Sequence, residues 1–298
     1  MRITFATSQR AATEGIARAA ERMAHFQRQV STGIRVGRPS DDPSAAATAI
    51  VERGAIAAFD QFSQTSDAAD SRLRMADSVL ADVIDKLTAA RVVILGVRGS
   101  IASDSKRNAS AQELQSLREA VLEDLNTTFR GTYVFAGAAG TVRPFEKNLA
   151  GTVNPYAGSA REVAVDVDRG RAVTVAFDGS VVSQGTDVID VFAAFDAAAV
   201  AAVADDDAAL GAAFDAITRA FERATHAQSR VGASLRGVAD QKLKLADAAR
   251  ASQTRLSALE DANLAEAISG MHQAETIYTA ALGSAARLAR TSLFDFLR

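Results

Sequence analysis

Proline, which removes a backbone donor and clashes with the preceding turn of a helix, occurs only at positions 39, 43, 144 and 155 of the 298-residue chain. The stretches from 44 to 143 and from 156 onward are therefore open to unusually long helices. The apolar residues use that freedom. Leu73, Ala76, Leu80, Val83, Leu87, Ala90, Ile94, Val97 and Ile101 alternate in steps of three and four without a polar exception. That is the stripe a helix buries against other helices in coiled-coil fashion. Phe5, Ala12, Ile16, Ala19, Met23, Phe26 and Val30 form a similar stripe near the start. In the last third, Phe214, Ile217, Phe221, Ala224, Val231, Leu235, Val238, Leu245, Ala249, Leu256 and Leu259 continue it, with interruptions at Gln228, Lys242 and Ser252. The register shifts near Asp261-Ala262-Asn263, and Leu264, Ile268, Met271, Tyr278, Leu282, Ala285, Ala289 and Phe296 form a final stripe.

Between the first two stripes lies Gln29 to Pro43. Gly33 suits the left-handed position just past a helix, where a Cβ carries a steric cost. Pro39 and Pro43 push Arg38 and Asp42 toward extended geometry, so Asp42 is expected to cap a helix whose first residue is Pro43. Farther on, Ser103 to Asn108 is either a loop or a solvated helical turn. A helix carrying Leu114, Leu117, Val121 and Leu125 is expected to end near Gly131. Val163, Val165 and Val167, the turn Asp168-Arg169-Gly170, and Val173, Val175 and Phe177 predict a β-hairpin. Asp178-Gly179 predicts another turn, helix resumes from Asp187 with Val188, Ile189, Phe192 and Phe195, and Asp205-Asp206-Asp207 separates two helices.

The expected fold is mainly α: a long antiparallel helical bundle or coiled coil formed by both chain ends, with a small inserted β-rich domain. Its expected segments are an assembly helix and loop (1–42), the N-terminal part of the bundle (43–140), the β-rich insert (141–186), the C-terminal part of the bundle (187–261) and a second assembly helix (262–298). At about 1.5 Å per residue the first stripe would span roughly 40 Å and the last roughly 50 Å, so they are comparable in length. Two outcomes satisfy them. They pair within the chain, or they stay disordered until neighbouring copies bury them.

Apolar residues make up 48% of the chain but aromatics only 6%, a balance that suits close helix packing better than a deep ligand pocket. A net charge of -3, with both signs interspersed, argues against nucleic acid as a partner. Without cysteine there are no disulfides, thiol nucleophiles or thiolate metal sites. The first ten residues lack the apolar core of a secretory signal, and no window is long and apolar enough for membrane insertion. The protein is thus expected in the cytosol, or exported by a route that reads no cleavable signal. His25, His226 and His272 are isolated from one another, which argues against a metal site. Asp41-Asp42 fits helix capping better than acid–base chemistry, and Gly131, Gly137 and Gly140 are too sparse to cradle phosphate. No catalytic group or cofactor site is expected.

Ser31-Thr32-Gly33, Arg35 and Arg38-Pro39-Ser40-Asp41-Asp42-Pro43 together resemble the signature near the N-terminus of the flagellin superfamily. Proline at 43, where filament flagellins usually carry a small residue, is more similar to the branch that forms the hook–filament junction. Phe129 to Gly137 resembles the glycine- and aromatic-rich segment of that branch. Leu259-Glu260-Asp261, Ala265-Glu266-Ala267-Ile268, Tyr278, Ala280-Ala281-Leu282 and Ser292 to Leu297 are similar to its C-terminal run. The likeness covers about 1–140 and 215–298, as in a family with shared assembly ends around a variable outer domain.

The resemblance implies a structural, non-enzymatic adaptor that joins hook to filament by self-assembly into a helical ring. Its implied partners are further copies of itself, an adjacent hook-associated protein, flagellin and an export chaperone. Its implied place is outside the cell, in the flagellum, reached through the flagellar type III apparatus. Carried onto this chain, Ile16, Met23 and Phe26 would pack against Ile268, Met271, Tyr278 and Leu282, with Phe296 farther along the same stripe. The Ser31–Pro43 loop would lie between subunits, where Arg35 and Arg38 would pair with Asp41 or Asp42 of a neighbour. A filament flagellin and a cytosolic coiled-coil binding module are the alternatives.

Overall fold

The computed structural model describes residues 5–99 and 102–296, and these form seven helices and two small hairpins. In chain order the elements are α1 (Phe5–Thr32), α2 (Pro43–Val97), α3 (Asp104–Leu125), β1 (Thr128–Phe129), β2 (Thr132–Tyr133), β3 (Val163–Asp168), β4 (Arg171–Ala176), α4 (Gly179–Ser183), α5 (Val191–Ala204), α6 (Asp207–Glu260) and α7 (Leu264–Phe296). They group into two compact units. The terminal unit comprises residues 1–58 and 248–298, and the central unit residues 59–247.

The central unit is built on the apolar stripe that has no polar exception. Leu73, Ala76, Leu80, Val83, Leu87, Ala90, Ile94 and Val97 are each no more than 2% exposed, while Ile101 lies outside the described residues. They share one core with Leu114, Val121 and Leu125 of α3, Phe192 and Phe195 of α5, and Ile217, Val231 and Val238 of α6. Arg91 lies over the rings of Phe214 and Phe221 at 5.4 and 5.2 Å, so these half-buried aromatics are covered by a cation.

Aspartate and serine decide where the central helices begin. Ser103 caps α3 by accepting from the Lys106 amide, which settles the 103–108 segment as a helix start. Asp178 caps the short α4 through the Ser180 amide rather than closing a turn. The helix expected from Asp187 starts later, at Val191, because Asp190 accepts the Ala193 amide at 2.7 Å; Val188 is left fully exposed. Asp205 is left-handed (φ 57°) and ends α5, while Asp206 accepts the Ala208 and Ala209 amides at the start of α6.

The Val163–Phe177 hairpin expected from alternation is present as antiparallel β3–β4, which pairs Val165 with Val173 and turns at Gly170 (φ 79°). A second hairpin lies where helix was expected to run to Gly131. α3 stops at Leu125, and β1 pairs with β2 in the register Thr128 with Tyr133 and Phe129 with Thr132. Its two turn residues, Arg130 (φ 50°) and Gly131 (φ 79°), both have the positive φ of a mirror-image turn that matches strand twist.

Arg72 of α2 joins the hairpins to the helical core. Its guanidinium donates to the Val175 carbonyl at 2.7 Å, the Thr132 hydroxyl at 2.7 Å and the Tyr133 carbonyl at 3.0 Å, and burial lowers its pKa. Beyond β2, Phe145 packs on Tyr156 and on Phe192, each with ring centroids 5.3 Å apart. At Gly137 (φ 56°) a Cβ would come within 1.9 Å of the Ser159 carbonyl oxygen, so only glycine fits that crossing.

Candidate assembly interface

In the terminal unit two helix breaks are stapled to each other. Gly33 ends α1 in the left-handed conformation (φ 72°), its amide donating to Gln29 O at 2.9 Å, as expected for the residue just past a helix. The second break is Asp261-Ala262-Asn263, where Asn263 caps α7 through the Ala265 amide at 3.2 Å. Ile34 and Asp261 form an antiparallel bridge; the Ala262 amide donates to Gly33 O at 2.7 Å and the Arg35 amide to Glu260 O at 2.6 Å. The shift in register read from the sequence is therefore a full interruption of the helix, held by main-chain bonds to a distant break.

The predicted residues of the 31–43 loop act within the chain. Asp42 caps α2, accepting from the Ala45 amide at 3.0 Å, and that bond lowers its pKa. Asp41 accepts the Arg38 amide at 2.9 Å. The Arg35 guanidinium donates to Leu259 O at 2.7 Å and approaches Asp42 at 3.5 Å. Arg35 thus helps clamp the two breaks, whereas no ion pair is present for the Arg38 side chain among the described residues. Two further ion pairs fasten the α2 start to the α6 end: Arg53 with Glu260 and Arg255 with Glu52, each at 2.8 Å. Sequence periodicity does not reveal these partners, because each pair is some 200 residues apart.

Because the C-terminal end of α1 and the start of α7 are joined, the two helices run antiparallel and pack on each other. Their closest stripe is built from small residues. Ala19 on α1 and Ala267 and Ala274 on α7 are buried, and a Cβ at Gly270 would meet the Phe26 ring at 2.6 Å. Ala19, Phe26, Gly270, Ala274 and Ile277 line a shallow cleft of about 260 Å³ between the helices. Ile16, Met23, Phe26, Met271 and Tyr278 are half-buried. Ile268 and Leu282, expected to pack on α1, are instead 42% exposed. The α1-facing stripe is displaced by one residue, because alanine and glycine let the backbones approach where larger side chains would hold them apart. Leu264, Ile268 and Leu282 thereby make a second, open apolar stripe. The side chain of Phe296 lies outside the described residues.

The described residues contain no group of acidic, histidine or cysteine side chains that could hold a metal ion, and no helix among them is long and apolar enough to cross a membrane. What the terminal unit presents is a helix pair, a fixed loop and an uncovered stripe.

Both the sequence and the fold are similar to those of flagellar proteins. Residues 3–139 match the family described as the bacterial flagellin N-terminal helical region. More narrowly, the chain is 32% identical over 155 residues to flagellar hook-associated protein 3 of Escherichia coli K12, covering 52% of this chain and 48% of that protein. The chain thus aligns with about half the length of that curated relative. Its fold is that of the flagellar junction protein FlgL from Legionella pneumophila (TM-score 0.62, 16% identity, 72% of this chain and all of that one). FlgL from Bacillus cereus shares it (TM-score 0.60, 18% identity, 70% of this chain and 99% of that one).

Proposed function

We infer that the protein is a structural, non-enzymatic part of the bacterial flagellum, an adaptor that joins hook to filament by assembling through α1 and α7. The observation that carries this reading is the open apolar stripe of α7. Leu264, Ile268 and Leu282 lie beside a helix pair that has already used its small-residue face, so a second surface is left for a neighbouring subunit. The names of the relatives supply the setting. Copies would close into a helical ring, with the adjacent hook-associated protein on one side and flagellin on the other. The chain would travel through the flagellar export apparatus, with a chaperone covering the stripe beforehand.

The test is complementation of a flagellated bacterium that lacks its own hook-associated protein 3. Expression of this chain should retain filaments on the hooks, and Ile268→Asp combined with Leu282→Asp should release flagellin into the medium. Filaments that stay detached with the unmodified chain would overturn the junction reading. Long filaments grown by the purified protein alone would instead favour a flagellin. Failure of the chain to leave the cell would favour a cytosolic coiled-coil module.

A further inference from the structure

The central unit carries a knob and a hole that its own fold leaves unused. The hole is an open cleft of about 360 Å³ between α2 and the two hairpins, lined by Thr65, Ala68, Ala69, Phe129, Val165 and Val175. Its floor is apolar because the one charged group there, Arg72, already has three protein acceptors. Arg130 stands at the rim, stacked over Phe129 at 5.4 Å, in the positive-φ position of its turn. That backbone conformation favours glycine, asparagine or aspartate over arginine. No carboxylate pairs with Arg130 among the described residues.

The knob is Leu149, which is fully exposed at the tip of the 147–153 turn. An exposed leucine is ordinary; the rigidity of this one is not. Lys147 bridges to Val153, and the Asn148 amide donates to Thr152 O at 2.9 Å. The Asn148 side-chain oxygen accepts the Ala150 and Thr152 amides at 2.9 and 3.1 Å. From α3, Arg118 donates to Gly151 O at 3.1 Å and Glu119 pairs with Lys147. Beside the turn stands Glu146, exposed and without an ion pair among the described residues.

We propose that Leu149 of one copy inserts into the Thr65–Val175 cleft of a second copy, with Glu146 meeting Arg130. The pairing matches an apolar knob to an apolar hole and a free carboxylate to a free guanidinium. The two patches also lie on different elements, the knob against α3 and the hole against α2. One subunit can therefore give and receive at once, and such a head-to-tail contact propagates into a ring or a helix rather than closing as a two-fold dimer. The inference rests on the assembly reading above and names a contact for it outside the terminal helices.

Sedimentation of the full chain tests it. Leu149→Asp removes the knob at a site with no packing to lose, and Ala68→Phe fills the hole with the chain's own ring; unchanged melting transitions verify both folds. The unmodified chain should form species that grow with concentration, each variant alone should lose that growth, and an equimolar mixture should recover dimers only. The natural absence of cysteine allows a second readout. A chain carrying both Leu149→Cys and Ala68→Cys should oxidise to a ladder of dimers, trimers and higher species. Association of Leu149→Asp equal to that of the unmodified chain overturns this inference while leaving assembly through α1 and α7 standing. Loss with Ala68→Phe but not with Leu149→Asp overturns it too, because something else then fills the cleft. An unmodified chain that stays monomeric at every concentration, with no disulfide ladder from the double-cysteine variant, overturns the contact together with the assembly reading.

Discussion

The two units meet the same requirement, burying an apolar helix stripe, in opposite ways. In the central unit the stripe from Leu73 to Val97 is no more than 2% exposed, and α3, α5 and α6 share its core. In the terminal unit α1 and α7 meet through Ala19, Ala267, Gly270 and Ala274, while Ile268, Ile277 and Leu282 remain 42% exposed. Full burial of a leucine contributes about 1.5–3 kcal/mol, so the central unit draws most of its stability from its own apolar residues. The terminal unit depends on main-chain bonds between its two breaks and on ion pairs such as Arg53–Glu260, and it holds apolar surface in reserve. The contrast separates a part whose apolar stripe is closed by its own fold from a part that leaves apolar side chains open.

Hydrogen exchange on the isolated chain puts that contrast to the widest test. Amides of α2 between Leu73 and Val97 should exchange only through global opening, which costs about 5–15 kcal/mol in single domains, and those of α1 and α7 through much cheaper local openings. Equal protection in both would erase the distinction. Truncation comes next in size. Leu80→Ala should cost about 2–5 kcal/mol in denaturant unfolding and Ile268→Ala less than about 1 kcal/mol, since only the first leaves a closed cavity. Costs of similar size would show that α7 is as well packed as the core.

Arg72→Met asks whether the hairpins are held by the core or by themselves. It should lose about 1–3 kcal/mol by leaving the Val175 and Tyr133 carbonyls without their donor, and it should loosen β1–β4 while α1 and α7 keep their exchange rates. Tyr156 adds a modest effect at neutral pH and a larger one in alkali. Burial pushes its hydroxyl from 10 up to about 12, and in the neutral form it donates to Phe135 O at 3.0 Å. A raised pKa means that this stability is complete below pH 10 and is lost as pH climbs through about 12. Tyr156→Phe should cost about 1 kcal/mol at neutral pH and flatten the fall in stability over that alkaline window. An unchanged alkaline profile would place the sensitive group elsewhere.

Much of this organisation was legible in the residues. Gly33, Asp42 and Pro43 signal their roles locally, because a left-handed backbone, a capping carboxylate and a missing amide are properties of single positions. The Leu73–Val97 stripe was legible for a similar reason: an uninterrupted three-four alternation has one way to be buried. The β1–β2 hairpin was not, since strands of two residues carry no period and Arg130-Gly131 is a weaker turn signal than Asn-Gly. The role of Arg72 was hidden as well. Its acceptors lie 60 and more residues away, on turns and strands whose placement the local sequence does not encode.

The candidate interface divides along the same line. Sequence by itself determined that both end segments are amphipathic helices bounded at Gly33 and near Asp261, because periodicity and backbone chemistry are local. Only the tertiary structure decided which face of α7 meets α1. An apolar stripe weights the large side chains, Ile268 and Leu282, whereas close helix approach is set by the small ones, Ala267, Gly270 and Ala274. It also decided that Arg35 closes on Leu259 of its own chain. That choice depends on two helix breaks more than two hundred residues apart coming within hydrogen-bond distance, and no local pattern records it.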